Sequence, residues 1–157
     1  MEKEVSITQF FDAPRELVFK AWTDAEWLPQ WHAPDNCTIQ FKHLDVRVGG
    51  YFHSCVNNPE YGECWALGMY KEIIYPEKLV YTLSVADEEG NLTDPQSAGM
   101  NPDWPAETLV TVTFTEQNGK TKMVLTQTVN EALAKETGAY PSWLQMFERL
   151  NLRIVNN

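Results

Sequence analysis

Positive charge is scarce in this sequence: its 157 residues hold 12 Lys and Arg against 22 Asp and Glu, a formal charge of −10. A nucleic-acid backbone and an anionic membrane surface both recruit clustered Lys and Arg, so neither is expected as a partner, and the excess charge is read as serving solubility. Long apolar runs are missing too. Nowhere do eighteen apolar residues follow one another, which argues against a membrane-spanning helix. The opening residues, MEKEVSITQF, lack the basic segment and apolar core of a targeting signal, so a cytoplasmic protein is expected. Cysteine is limited to Cys37, Cys55 and Cys64, an odd set without CxxC spacing that suits reduced thiols better than a disulfide framework. His32, His43 and His53 have no metal-ligand spacing with each other or with the cysteines, and HExxH, calcium-loop, phosphate-cradling glycine and GxSxG patterns are absent. No metal and no cofactor are expected, and nucleotide binding and serine hydrolysis have no residues to stand on.

What the sequence does have is periodicity that changes twice. Val5 and Ile7 alternate with Ser6 and Thr8, which predicts a strand over 3–12. Pro14 suits a first helical position, and Leu17, Val18, Ala21 and Trp22 then follow at helical spacing with Glu16 and Lys20 opposite. Thr23 and Glu26 have the form of a capping box for a second short helix carrying Trp27, Leu28 and Trp31, cut short by Pro29. From there the pattern alternates for about a hundred residues. Cys37, Ile39 and Phe41 switch parity to Leu44, Val46 and Val48, which predicts a bulge near Lys42 and His43. Gly49-Gly50 turns the chain into a strand at 51–56, and further strands are predicted at 64–75, from Leu79 to Val85, from Val110 to Phe114 and at 122–129, the last pair joined by an Asn118-Gly119 hairpin. Over 140–155 the helical period returns, with Trp143, Met146, Phe147, Leu150 and Ile154 on one face. Each large apolar side chain removed from water is worth roughly 1.5 to 3 kcal/mol, so this face must lie across the sheet. The length fits a single domain over 1–157, large enough to bury about two thirds of its unfolded surface. The expected fold class is α+β in the order β-α-α-β6-α, a curved antiparallel sheet of about seven strands gripping one long C-terminal helix.

Little in the chain looks like acid–base machinery. Asp45 and Arg47 lie two apart and are read as an ion pair at the hairpin rather than as a catalytic pair. His32, placed after Trp31 at the end of the second helix, is the histidine to watch. Trp65 and Met69 on one parity of the long strand, Tyr81 on the next, and Trp143, Met146 and Phe147 on the helix could enclose a ligand, and a solid core explains them as well. The segment 86–107 has no periodicity and three prolines, unusual within a compact domain. Its Met100 and Trp104 are read as pinning it to the body in preference to closing a cavity mouth.

On these residues the chain resembles the START-like, or SRPBCC, superfamily, and within it the branch named for activators of the 90-kDa heat-shock protein ATPase. The likeness is carried by Ala13-Pro14-Arg15-Glu16-Leu17-Val18-Phe19 with Trp22-Thr23-Asp24, by Trp31, by Asp45-Val46-Arg47-Val48-Gly49-Gly50, by Gly68-Met69-Tyr70-Lys71-Glu72-Ile73, by Lys120-Thr121-Lys122-Met123 and by Ser142-Trp143. Val48 stands where the family pattern resembles Pro, and Ser142 where it resembles Gly. The resemblance implies a helix-grip (START/Bet v-like) fold and a cavity between sheet and helix in which relatives bind hydrophobic molecules. The cavity-lining candidates are Trp31, His32, Phe52, Trp65, Met69, Tyr81, Trp104, Trp143, Met146 and Phe147. It also implies two rival roles: a module that modulates a chaperone ATPase, although the chain has no room for the separate chaperone-engaging domain of the eukaryotic activators, and a cyclase or aromatase using His32 and Tyr81. The preferred expectation is a non-catalytic protein that binds a hydrophobic small molecule, as a monomer or as a homodimer formed through an exposed edge strand or the Trp104 segment.

Overall fold

The computed structural model describes residues 3–156. Seven strands form one antiparallel sheet: β1 (Glu4–Phe11), β2 (Thr38–Leu44), β3 (Tyr51–Asn58), β4 (Gly62–Ile74), β5 (Lys78–Ala86), β6 (Glu107–Gln117) and β7 (Lys120–Asn130). Their spatial order is β1-β7-β6-β5-β4-β3-β2, so β2 to β7 run as a meander and β1 closes onto β7 at one edge. The helices are α1 (Arg15–Thr23), α2 (Leu28–Trp31), α3 (Glu131–Thr137) and α4 (Ala139–Val155). This is the α+β helix-grip arrangement expected from the order of elements.

Alternation explains which face the helices cover. Thr121, Met123, Leu125, Gln127 and Val129 of β7 are all buried, as are Thr108, Val110, Val112 and Phe114 of β6. The buried stripe of α4, made of Trp143, Met146, Phe147, Leu150 and Ile154, joins this face in one core with Val18, Phe19 and Trp22 of α1. The ladder shifts register between Phe41 and His43, where the parity change predicted a bulge. Asn118 and Gly119 both adopt positive φ, the conformation a two-residue hairpin with this sequence requires.

Three expectations need correction. The Thr23–Glu26 capping box does not form: the Thr23 hydroxyl donates back to the Phe19 carbonyl at 3.0 Å, and Asp24 Oδ1 instead accepts the Glu26 N–H at 2.7 Å. A threonine at a helix end can bond its own preceding turn, and here that local bond wins. Second, β2 stops at Leu44 and Val48 is 60 % exposed, so the alternation of Val46 and Val48 belongs to a turn. Third, α3 was not expected. Asn130 caps it, accepting the Leu133 N–H at 2.9 Å, and Gly138 at φ 90° ends it and turns the chain into α4.

Candidate functional site

Helix contacts fall on one side of the sheet, with α1, α3 and α4 against β1, β6 and β7 and α2 against β2. Between α4 and the inner faces of β2 to β5 lies a cavity of about 890 Å³, within the range of a drug-sized ligand site. Ile39 and Phe41 of β2, Phe52 and Val56 of β3, Leu79, Tyr81 and Leu83 of β5, and Trp143 and Met146 of α4 give it a largely apolar wall. Exposed lining residues come from the loop before β2 (Asp35), the β3–β4 turn (Tyr61), the segment before β6 (Gly99) and the α3–α4 junction (Glu136 and Thr137), and these mark its mouth.

Seven of the ten predicted residues line this space: His32, Phe52, Trp65, Tyr81, Trp104, Trp143 and Met146. Met100 lines it as well, and Trp104 packs against the main core, so the segment is pinned to the body by a residue that also forms cavity wall. The other three correct the expectation, and the Trp65 ring is turned differently from what was expected. Trp31 is fully buried behind the wall, its indole N–H donating to the Ala21 carbonyl at 2.9 Å and its ring 4.7 Å from Trp22. Phe147 is likewise fully buried, 6.2 Å from Trp22, one helical step behind Trp143. Met69 is 41 % exposed on the outer face, where it borders a shallower depression with Tyr51 and Thr82. Trp65 touches the cavity edge, but its ring lies outward, 5.0 Å from His53 and beneath Lys42 Nζ.

The parity of β4 is therefore the reverse of that read from its bulky residues, and Cys64, Ala66 and Tyr70 face inward. The reason lies in residues 87–92, which fold back over the outer face. There Asp87 O bonds the His53 ring at 2.9 Å, Glu88 O accepts from Lys42 Nζ at 2.7 Å, and Leu92 bridges to Ala86. The Trp65 ring lies on this same outer face, against His53 and Lys42. Gly68 is the complementary inward residue, since a Cβ there would collide with the Phe52 ring, which lies over it and approaches Tyr70 at 5.8 Å and Tyr81 at 5.7 Å.

Besides Ser54, Asn58, Ser84 and the Tyr70 hydroxyl, which also line the cavity, the wall holds two buried polar groupings. One is closed on itself: Trp143 Nε1–H donates to Gln127 Oε1 at 2.9 Å, Gln127 Nε2 donates to Thr108 Oγ1 at 3.0 Å, and Thr108 donates to the Leu83 carbonyl at 3.4 Å. The other is open. The Tyr81 hydroxyl is buried without a hydrogen-bond partner, a state that costs about 1–3 kcal/mol. Burial, reinforced by neighbouring Tyr70, pushes its pKa well above the usual phenolic value, and burial does the same to Tyr70. His32 sits edge-on to Trp22, Trp31 and Trp143 at 5.6, 4.9 and 5.9 Å. Desolvation there lowers its pKa from 6.5 to about 4, so it is neutral at pH 7. Among the described residues no cluster of His, Cys, Asp or Glu is disposed to hold a metal ion, and no helix is long and apolar enough to cross a membrane. Cys37, Cys55 and Cys64 are free thiols, and the expected ion pair forms with Arg47 Nε 2.7 Å from Asp45 Oδ2.

The family described as Activator of Hsp90 ATPase homolog 1-like protein matches residues 12–153. The chain belongs to this family. Solved structures agree on the fold. A protein from Arthrobacter aurescens superposes with a TM-score of 0.81 at 20% identity, over 97% of this chain and 86% of that one. One from Chromobacterium violaceum gives 0.76 at 21% identity over 94% of each, and the AHSA1 protein of Silicibacter pomeroyi gives 0.75 at 16% over 98% of each. No curated protein sequence matches the chain. Membership places the chain in the SRPBCC superfamily, as the motifs around Pro14, Gly49 and Trp143 implied.

Sequence reasoning missed several residues that shape the site, among them Tyr70, Gln127, Thr108 and Gly68. Tyr70 is betrayed by the bulge that shifts the β4–β5 register between Tyr70 and Glu72. Gln127 and Thr108 sit at inward positions of β7 and β6, where a polar residue in an apolar alternation is itself a signal. Gly68 carries the usual mark of a close approach within a strand.

Proposed function

We propose that this family member is a non-catalytic carrier or receptor of a hydrophobic small molecule, held between the inner faces of β2 to β5 and the Trp143–Met146 side of α4. The 890 Å³ cavity with its largely apolar wall is the observation that supports this most. Native mass spectrometry of the protein purified from its own cells, with a fluorescent lipophile displaced by a panel of apolar compounds, tests the reading. Retained mass or saturable binding, lost in an Ala66→Trp variant that still melts cooperatively, is expected. A folded wild type that binds nothing in either assay overturns it.

A second reading follows from the family description, which names an activator of a chaperone ATPase. It is tested by adding the protein to the chaperone of the same organism. Unchanged ATP turnover at saturating protein rejects it.

A further inference from the structure

We propose that the cavity selects an uncharged, largely apolar molecule bearing one hydrogen-bond acceptor, a carbonyl or ether oxygen, and that the Tyr81 hydroxyl donates to that oxygen. The proposal rests on the binding reading above and specifies the ligand class.

Two observations carry it. The first is the state of the polar groups. Trp143, Gln127 and Thr108 satisfy one another and end on the Leu83 carbonyl, which leaves them little to offer a ligand. Tyr81, in register with Gln127 two strands away through the intervening Val110, lines the same cavity with its hydroxyl buried and unpartnered. Among the described residues the other buried side-chain polar atom without a partner is Arg15 Nε, which lies outside the cavity wall. A phenolic hydroxyl conjugates its oxygen lone pair into the ring, so it is a better donor than acceptor. An acceptor on the ligand therefore satisfies Tyr81, whereas a pure hydrocarbon leaves it bare.

The second observation is charge. Among the described residues no Lys or Arg lines the cavity, and His32 is neutral at pH 7. The lining carboxylates, Asp35 and Glu136, are exposed residues at the mouth. An anionic headgroup would pass two negative charges and arrive where no cation compensates its lost hydration. A cationic ligand would be drawn to the mouth, but inside it would find no anion. Neutral ligands with a single acceptor meet neither penalty.

The test compares three fluorescent probes of one skeleton at pH 7.5 with the full-length protein: pyrene, 1-acetylpyrene and 1-pyrenecarboxylate. The acetyl compound is expected to bind about ten-fold tighter than pyrene, with the carboxylate weakest. Tyr81→Phe should bring 1-acetylpyrene down to the level of pyrene, and its melting temperature should match or exceed that of the wild type, because the hydroxyl it loses was unpaired. Equal binding of pyrene and 1-acetylpyrene, a preference that survives in Tyr81→Phe, or tightest binding by the carboxylate overturns the proposal while leaving a binding cavity in place. Failure of all three probes to bind overturns the binding reading and this proposal together.

Discussion

The two halves of the inner sheet face are built from the same alternation and end in opposite states. Over β1, β7 and β6, the side chains of Val5, Met123, Leu125, Val110 and Phe114 meet α1 and α4, and Trp22, Phe147 and Leu150 fill the space between, each no more than 2 % exposed. Over β5 to β2 the inward residues Leu83, Phe52, Phe41 and Ile39 are just as apolar, yet they face a cavity. The helices decide the difference. α1, α3 and α4 pack against β1, β6 and β7, whereas over β5 to β3 no helix packs directly and only the N-terminal part of α4, with Trp143 and Met146, borders the space. Apolar character is thus shared, and what separates core from pocket is whether a helix lies opposite.

Substitutions on either side of that divide should respond differently. The largest effect is expected for Phe147→Ala in the filled half, about 3–5 kcal/mol of lost stability in urea denaturation, through lost transfer energy plus a new void. Leu83→Ala in the open half should cost about 1 kcal/mol, because the wall there already borders a space and only a partly buried side chain is lost. Comparable losses at the two positions would remove the distinction. Next, Gly68→Ala should displace the Phe52 ring into the cavity, with a cost of about 1–3 kcal/mol and weaker lipophile binding. Normal binding with full stability would show that the ring does not lie against Gly68.

Smaller effects probe the boundary. Asn130→Ala, removing the α3 cap, should destabilise by about 1 kcal/mol without changing ligand affinity. His32 adds a pH dependence. Its folded pKa lies at about 4, below the 6.5 of the unfolded chain, so the unfolded state binds the extra proton first. The stability linked to neutral His32 is complete above about 6.5 and is lost progressively as pH falls towards 4. Carboxylates titrate in the same window, so the measurement is the difference between wild type and His32→Phe. The wild type should lose more melting temperature from pH 7 to 4 than the variant, and parallel curves would contradict the burial of His32 among the tryptophans.

Much of this was legible in the sequence where a pattern repeats. The strand count, the bulge at Phe41–His43 and the buried face of α4 all follow from period and turn chemistry. The site was legible only in part. Trp143, Met146 and Tyr81 were found because they lie on faces that point inward by period, and His32 because the family resemblance puts the cavity rim at the end of the second helix. Met69 and the Trp65 ring were expected inward because bulk was taken to mean inward, whereas the Trp65 ring lies against His53 and Lys42 on the outer face, where residues 87–92 fold back and bond both, a tertiary event no local pattern encodes. Trp31 and Phe147 point the right way but stand behind Trp22 and Trp143. α3 was written plainly in Asn130 and Gly138, cap and stop, and is short enough to be read past.

The most direct test of the contrast between a filled and an open half is a crystal of the ligand-free protein under xenon pressure, since xenon enters apolar voids. The account predicts xenon bounded by Phe52, Tyr81, Leu83 and Trp143, and none among Leu125, Phe147 and Leu150. Xenon absent from the first site, or present in the second, would contradict it.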